Sequence, residues 1–286
     1  MLRAVFFVVG LFAASALLGP SASAEEALLE TLAAGAQSAF NERFVWERML
    51  EAIATYETIL VRLNPSRTQS ASLVLDRLSQ LCYEAAMFSE GNTSEDGALF
   101  DKGKAYGFRS LRLNPDFAAH ESKGLDEAIS YVTDIVALHW TANNWGMLCG
   151  MNPIQGLLQQ GSVLALFSRC VEMDPRFWGG SSASALGSLL IMSPSPLGGD
   201  KEAGLALIED SIEADPSYLH NRVILAEYWG FTYGYFGQLT GVRSAELIER
   251  ELAVVLQGED EAWPFWNRQA KVAAERLLAQ LVEMKD

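Results

Sequence analysis

The amino-acid sequence predicts an all-α fold in which helical hairpins stack in a short curved solenoid. Ala, Leu, Glu and Arg fill long stretches at helical spacing, whereas alternating runs of Val, Ile and Thr are scarce. Four apolar helical stretches also end alike, with an Asn or Asp followed by Pro65, Pro115, Pro175 or Pro216. Proline lacks the amide proton that a helix needs and disfavours helical geometry in the residue before it, so each pair predicts a helix end.

The first 24 residues have the features of a secretory signal peptide. Arg3 supplies the positive charge, residues 4–19 form an apolar stretch, and Ser-Ala-Ser-Ala at 21–24 resembles a cleavage site. We therefore expect a mature chain that begins at Glu25 and forms a single helical domain over residues 25–286. Since no cysteine stands near the cleavage point to carry an acyl chain, we expect a free periplasmic protein.

The composition argues against several classes of function. The formal net charge of -15 repels phosphate backbones and anionic lipid, so nucleic acid is not an expected partner. Cys82, Cys149 and Cys170 lack the close paired spacing of a zinc site or a redox pair. Their apolar helical surroundings favour buried thiols, and one disulfide between an unspecified pair is the alternative in an oxidising compartment.

The segment that ends at Pro216 matches the pattern of a tetratricopeptide repeat, a pair of helices with a period of about 34 residues. The Gly199-Asp200 pair stands at the turn between the two helices of such a repeat. Gly204, Ile208 and Ser211 then occupy positions where small, large and small side chains are needed, because two crossing helices require a small residue on one and a bulky one beside it.

The other closures carry the same pattern less completely. Gly103, Gly107 and Ser110 precede the second closing proline; Val163, Phe167 and Cys170 precede the third; and Ala52 and Tyr56 precede the first with one extra residue. Leu225, Ala226 and Trp229 stand at the expected positions of the next first helix. Since the closures lie 50, 60 and 41 residues apart, we expect degenerate repeats with elaborated loops.

The least repeat-like segment, residues 127–153, completes a resemblance to a known family. The chain resembles the TRAP-transporter-associated tetratricopeptide family, the T component. Members carry an Ala-Leu-aromatic-Trp helix with a Trp-Gly five residues after the first Trp, then an Asp-Pro closure and a proline turn with Gly-Gly. The matching residues are Ala137, Leu138, His139, Trp140, Trp145 and Gly146, then Asp174 and Pro175, then Pro194, Gly198 and Gly199.

The resemblance implies a helical periplasmic protein that pairs with a TRAP-type substrate-binding protein. For one branch of the family it also implies a trimer with an internal pore and a small apolar ligand cleft. Two departures bear on these expectations. Members of that branch are lipoproteins, whereas this chain has no acylation cysteine, and His139 stands where Tyr or Phe is commoner.

The aromatic residues are the candidate binding residues. Trp140 and Trp145 lie about 140° apart on a helical wheel at about 100° per residue, so they cannot both face one core, and one is expected to line a groove. Helical repeats present a concave face to ligands, which adds further candidates. These are Trp178, Tyr228 and Trp229, with Tyr233, Tyr235 and Phe236 as further aromatic residues. Packing of these rings in the core is the competing interpretation.

No residue pattern predicts catalysis or a cofactor. His120, His139 and His220 are too far apart in sequence for a helical metal-binding pair. The serine-rich stretch at 179–188 lacks the Gly-x-Ser-x-Gly motif of a nucleophile elbow. We therefore expect a non-enzymatic accessory of TRAP-type solute uptake that binds the receptor and a small hydrophobic ligand or organic acid. The alternative is a tetratricopeptide adaptor for protein–protein interaction in envelope assembly.

Overall fold

A computed structural model describes residues 20–88, 93–234 and 237–285, and over these residues the protein is all-α apart from one short hairpin. The all-α prediction is confirmed. Most of the predicted signal peptide lies outside the described residues, as do two of the predicted aromatic residues, Tyr235 and Phe236. Within the described part of the chain, no helix is both long and apolar enough to cross a membrane.

Thirteen α-helices occupy the described residues. The first seven are α1 Pro20–Asn41, α2 Trp46–Arg62, α3 Thr68–Met87, α4 Ser94–Leu111, α5 Pro115–His120, α6 Leu125–Ser130 and α7 Ile135–Met151. The remaining six are α8 Pro153–Met173, α9 Ser181–Met192, α10 Lys201–Ala214, α11 His220–Leu225, α12 Ala245–Gln257 and α13 Pro264–Glu283. The 3₁₀ turns Phe177–Gly180 and Ser195–Leu197 precede and follow α9.

The closing prolines follow helix ends, as predicted. Helices α2, α8 and α10 end two or three residues before Pro65, Pro175 and Pro216 respectively. Pro115 has a second role, because it is the first residue of the short helix α5. The side chain of Asn114 caps that helix by accepting hydrogen bonds from two backbone amides, so one Asn-Pro pair both separates and starts helices.

Neighbouring helices pack as the small-residue pattern predicts. Gly180 faces Ser211 and Gly187 faces Gly204, so α9 and α10 run antiparallel. A side chain at position 187 would place its Cβ 2.5 Å from the carbonyl oxygen of Gly204, which leaves no room for one. The other predicted packing residues are also buried: Ala52, Tyr56, Gly103, Gly107, Ser110, Val163, Phe167, Cys170 and Ile208.

The two ends of the chain meet in the interior. Tyr83 on α3 lies 5.9 Å from Trp266 on α13 between ring centroids, and Phe88 lies 5.5 Å from Phe265. These contacts join helices that are far apart in the sequence, whereas the repeats of an open solenoid contact only their neighbours. The structure thus contains the predicted helix pairs, and their stacking in a curved solenoid stays a prediction.

Two features of the chain differ from the sequence prediction. Strands β1 Phe231–Tyr233 and β2 Leu239–Val242 form an antiparallel hairpin where only helix was expected. A π-helical turn over Ala226–Gly230 joins α11 to this hairpin. Strands of three and four residues carry too little alternation to be recognised in sequence.

The cysteines match the favoured interpretation more closely, since all three are free thiols and two of them are buried.

Candidate functional site

Helix α7 directs its two tryptophans into different parts of the protein. The helix begins beside Asp134, whose carboxylate accepts hydrogen bonds from two backbone amides of the first turn. Trp140 is 1% exposed and lies in a first hydrophobic core, to which α1, α2, α3 and α13 contribute most side chains. Trp145 is half-buried against a second hydrophobic core, formed mainly by α5 to α8, and lies beside Phe108. Its indole N–H donates to Gln159 Oε1 at 2.6 Å.

Trp140 belongs to a group of aromatic side chains that come together from distant parts of the chain. We name this group the aromatic cluster; its members are Tyr83, His139, Trp140, Phe177, Trp178, Tyr218, His220, Trp263 and Trp266. Ring centroids are 5.2 Å apart for Trp140 and Trp178 and 4.9 Å apart for Tyr218 and Trp263. Trp140 and Trp266 are nearly parallel, with an interplanar angle of 17° and centroids 6.5 Å apart.

A strained turn places Trp178 in the cluster. Its φ of 52° lies in the left-handed region, and the two glycines that follow have φ of 66° and 80°. A side-chain-bearing residue in this region costs about 1–2 kcal/mol, and such strain is found preferentially at binding and catalytic sites. The turn holds the indole of Trp178 against Trp140 and Trp263.

Three indole N–H groups of the cluster have no hydrogen-bond acceptor among the described residues. They belong to Trp140, Trp178 and Trp266, and each nitrogen is buried. Trp263 differs, because its N–H donates to Asp215 Oδ2 at 3.1 Å. A buried donor without an acceptor costs about 1–3 kcal/mol, so three in one cluster require an explanation. A molecule that carries hydrogen-bond acceptors and an apolar body would satisfy both the donors and the ring faces.

Both histidines of the cluster are neutral at physiological pH. Burial lowers the pKa of His139 to about 3 and that of His220 to about 4. A hydrogen bond of 2.8 Å joins His139 Nδ1 to Ser182 Oγ, in the serine-rich stretch at 179–188. The hydroxyl is buried and the imidazole is a very weak base, so this pair ties α7 to α9 and is poorly suited to nucleophilic catalysis.

The predicted residue Tyr228 lines a separate groove, and its neighbour Trp229 packs against Arg243, which also lines that groove. Tyr228 lines a cavity of about 690 Å³ between the end of α9, the start of α10 and the β-hairpin. Trp229 lies beneath the guanidinium of Arg243, 4.0 Å from the ring centroid. Both residues are in the π-helical turn, a feature frequent at functional sites.

The neighbouring carboxylate affects the ionisation of the groove residue Tyr228. Glu227 is the main cause of a strongly raised Tyr228 pKa, followed by burial. Oε1 of Glu227 lies 3.7 Å from Nη2 of Arg276.

The structure thus divides the five predicted binding residues among three places. Trp140 and Trp178 are in contact, Tyr228 and Trp229 lie together in the π-helical turn, and Trp145 packs elsewhere. The other Phe, Tyr and Trp rings of the cluster were not predicted from the sequence, namely Tyr83, Phe177, Tyr218, Trp263 and Trp266. A signal for the last two was present, because residues three apart share one helix face, but their partners lie far away in sequence.

Paired helices around a buried aromatic cluster define the class of this all-α protein. The sequence model of the TRAP transporter T-component family matches residues 81–281, and the chain belongs to this family. The match extends from the end of α3 into α13 and so includes every member of the aromatic cluster. The resemblance predicted from the sequence is confirmed, and the protein is associated with TRAP transport. No curated protein matches the chain.

Proposed function

We propose that this protein is a non-enzymatic periplasmic accessory of a TRAP-type uptake system, which binds the solute receptor of that system and holds a small hydrophobic organic acid in the aromatic cluster. Membership of the T-component family supports the link to transport. The observation that carries the ligand proposal is the set of three buried indole N–H groups without acceptors.

The chemistry of the cluster favours a ligand with an apolar body and a carboxylate. Ring faces provide apolar contact area, and indole N–H groups can donate only, so they select oxygen acceptors. The histidines are neutral, which leaves neutral donors as the partners of the acid group.

Ligand binding is tested with octanoate as the probe and intrinsic tryptophan fluorescence as the readout. We expect saturable quenching, and we expect Trp140→Phe and Trp266→Phe to weaken binding about tenfold each, because each loses one hydrogen bond worth about 1–1.5 kcal/mol. Trp145→Phe is the matched control, because it also removes an indole N–H but lies outside the cluster. Equal weakening in all three variants, or no saturable signal, would contradict the proposal.

Receptor binding is tested separately by affinity capture from the envelope fraction at native expression, with the captured proteins identified by mass spectrometry. We expect a TRAP-type substrate-binding protein in the eluate and the tagged protein in the periplasmic fraction with Glu25 as its first residue. Capture of envelope-assembly proteins without a solute receptor would favour the adaptor alternative.

A further inference from the structure

His220 adds a further unsatisfied polar atom to the aromatic cluster. Its Nδ1 is buried and has no hydrogen-bond partner among the described residues. The imidazole ring lies 5.3 Å from the ring of Trp266 and 6.1 Å from that of Tyr218, measured between centroids. Indole N–H groups donate only, whereas one nitrogen of a neutral imidazole accepts. His220 therefore brings a hydrogen-bond acceptor to a cluster whose three unsatisfied indoles are donors.

The other histidine of the cluster has polar contacts at both ring nitrogens. Nδ1 of His139 lies 2.8 Å from Ser182 Oγ. Its Nε2 lies 3.2 Å from Asn143 Nδ2 and 3.5 Å from Ser181 Oγ. Because these contacts link α7 to α9, His139 serves the fold, and Nδ1 of His220 is the imidazole nitrogen that remains for a ligand.

No cation belongs to the aromatic cluster. Burial is the cause of the low pKa of His220, and no charged side chain contributes to it. Helix α9 carries no charged residue, and those of α10 are all exposed. The other carboxylates buried or half-buried on the elements around α11 have partners: Glu84 with Arg43, Asp215 with Trp263, Glu227 with Arg276 and Glu251 with Arg222.

These surroundings decide the charge state in which an acid enters. A carboxylate moved into the cluster loses its hydration without gaining a counter-charge, whereas a protonated carboxyl group carries no charge to desolvate. With an ordinary pKa of about 4.3, about one carboxyl group in 500 is protonated at pH 7. That population cost is smaller than the cost of burying an unpaired ion.

We propose that the aromatic cluster binds an organic acid together with one proton, and that His220 Nδ1 accepts a hydrogen bond from the O–H group of that acid. The inference rests on the proposed function of the cluster. The carbonyl oxygen of the acid accepts from the indole N–H of Trp266, beside the imidazole. The proton comes from water, forms the O–H bond of the bound acid and returns to water when the ligand leaves.

The edge of the cluster provides the path for the acid and its proton. Trp178, His220 and Trp263 are only partly buried, so the cluster reaches solvent at these members. The ligand class follows from the chemistry. Carboxylic acids with an apolar chain are selected over sulfonates, which stay ionised at every physiological pH.

The test compares octanoate with methyl octanoate and octane-1-sulfonate, using tryptophan fluorescence from about pH 6 to 8.5. We expect the Kd of octanoate to rise about tenfold per pH unit, because its protonated fraction falls by that factor. Methyl octanoate, which is neutral throughout, should bind with constant affinity, and the sulfonate should not bind. Calorimetry in two buffers of different ionisation enthalpy should show uptake of about one proton per octanoate.

Two histidine variants locate the proton acceptor. His220→Phe keeps a ring beside Trp266 but removes Nδ1, so octanoate should bind about tenfold more weakly at pH 6. Methyl octanoate has no O–H group, and its affinity should stay unchanged. His139→Phe is the matched control and should leave the affinity for both ligands unchanged, because the nitrogens of His139 already have partners.

The outcomes separate this inference from the proposed function. Saturable octanoate binding with the same affinity at every pH, or sulfonate binding as tight as that of octanoate, overturns the proton coupling and leaves the ligand site standing. Equal losses in His220→Phe and His139→Phe overturn the role of His220. Absence of saturable binding for every probe overturns the ligand site itself and this inference with it.

Discussion

Two buried regions of the protein differ in whether their polar side chains have hydrogen-bond partners. The side chain of Asn267, fully buried on α13, accepts a hydrogen bond from the Leu219 amide and donates to the carbonyl oxygens of Ser217 and Glu259. One residue earlier, the indole N–H of Trp266 has no acceptor among the described residues. The same helix end thus holds a saturated amide and an unsatisfied donor.

The contrast indicates which groups serve the fold and which serve binding. A buried amide whose oxygen and nitrogen are both used fixes the path of the chain, and here it anchors the turn after Pro216. Unused donors lower stability and persist in native proteins mainly where a ligand or water uses them. In this protein three such indole donors occur together in the aromatic cluster, which also contains the strained Trp178.

The largest effect is expected at the saturated amide. Asn267→Ala leaves one amide and two carbonyl groups without their partner and also creates a cavity, so we expect a loss of about 3–5 kcal/mol in the free energy of unfolding. Urea denaturation followed by circular dichroism measures it. A loss below about 1 kcal/mol would show that water replaces the side chain easily. The hydrogen bonds of Asn267 would then not distinguish a group that stabilises the fold from the unsatisfied donor of Trp266.

The carboxyl group of Asp76 is another buried polar group, and the second-largest effect is expected there. Asp76 on α3 is 4% exposed, and its pKa is raised well above the usual range, first by burial and then by the nearby Asp134. The hydroxyl of Ser72 lies 3.3 Å from Asp134 Oδ2 and 3.0 Å from Ser110 Oγ, so this group of side chains joins α3, α4 and the start of α7.

The raised pKa of Asp76 predicts the sign of a pH effect. The folded state binds this proton more tightly than the unfolded state, so the stabilisation is complete below the unfolded pKa and is lost as the pH rises through the folded pKa. We expect Asp76→Asn, which cannot ionise, to remove much of the decline in unfolding free energy that begins as the pH rises above 3.8. Denaturation series from about pH 3 to 9 compare the two proteins, and parallel curves would exclude Asp76 as the cause.

The local part of this architecture was predictable from the sequence and the long-range part was not. Closing prolines and the Gly204–Ile208 spacing act within one hairpin, so the pattern along the chain was sufficient. The aromatic cluster joins Tyr83 to Trp266, and no local pattern specifies which distant rings meet. The separation of Trp140 from Trp145 followed from helical geometry, but the identity of the core that each one enters did not.

The smallest predicted effect isolates a single N–H group. Trp263→Phe and Trp266→Phe remove the same atoms from neighbouring positions of the cluster, but only the indole of Trp263 donates a hydrogen bond, to Asp215. Trp263→Phe should therefore be more destabilising, by about 1–2 kcal/mol, because it also leaves the Asp215 carboxylate without this donor. Thermal and urea unfolding without added ligand measure the difference. With saturating octanoate, the difference in unfolding free energy between the two variants should become smaller or change sign, since the ligand engages the indole of Trp266. A stability difference that saturating octanoate leaves unchanged would mean that the ligand does not engage the indole of Trp266, and the proposed role of the cluster would fail with it.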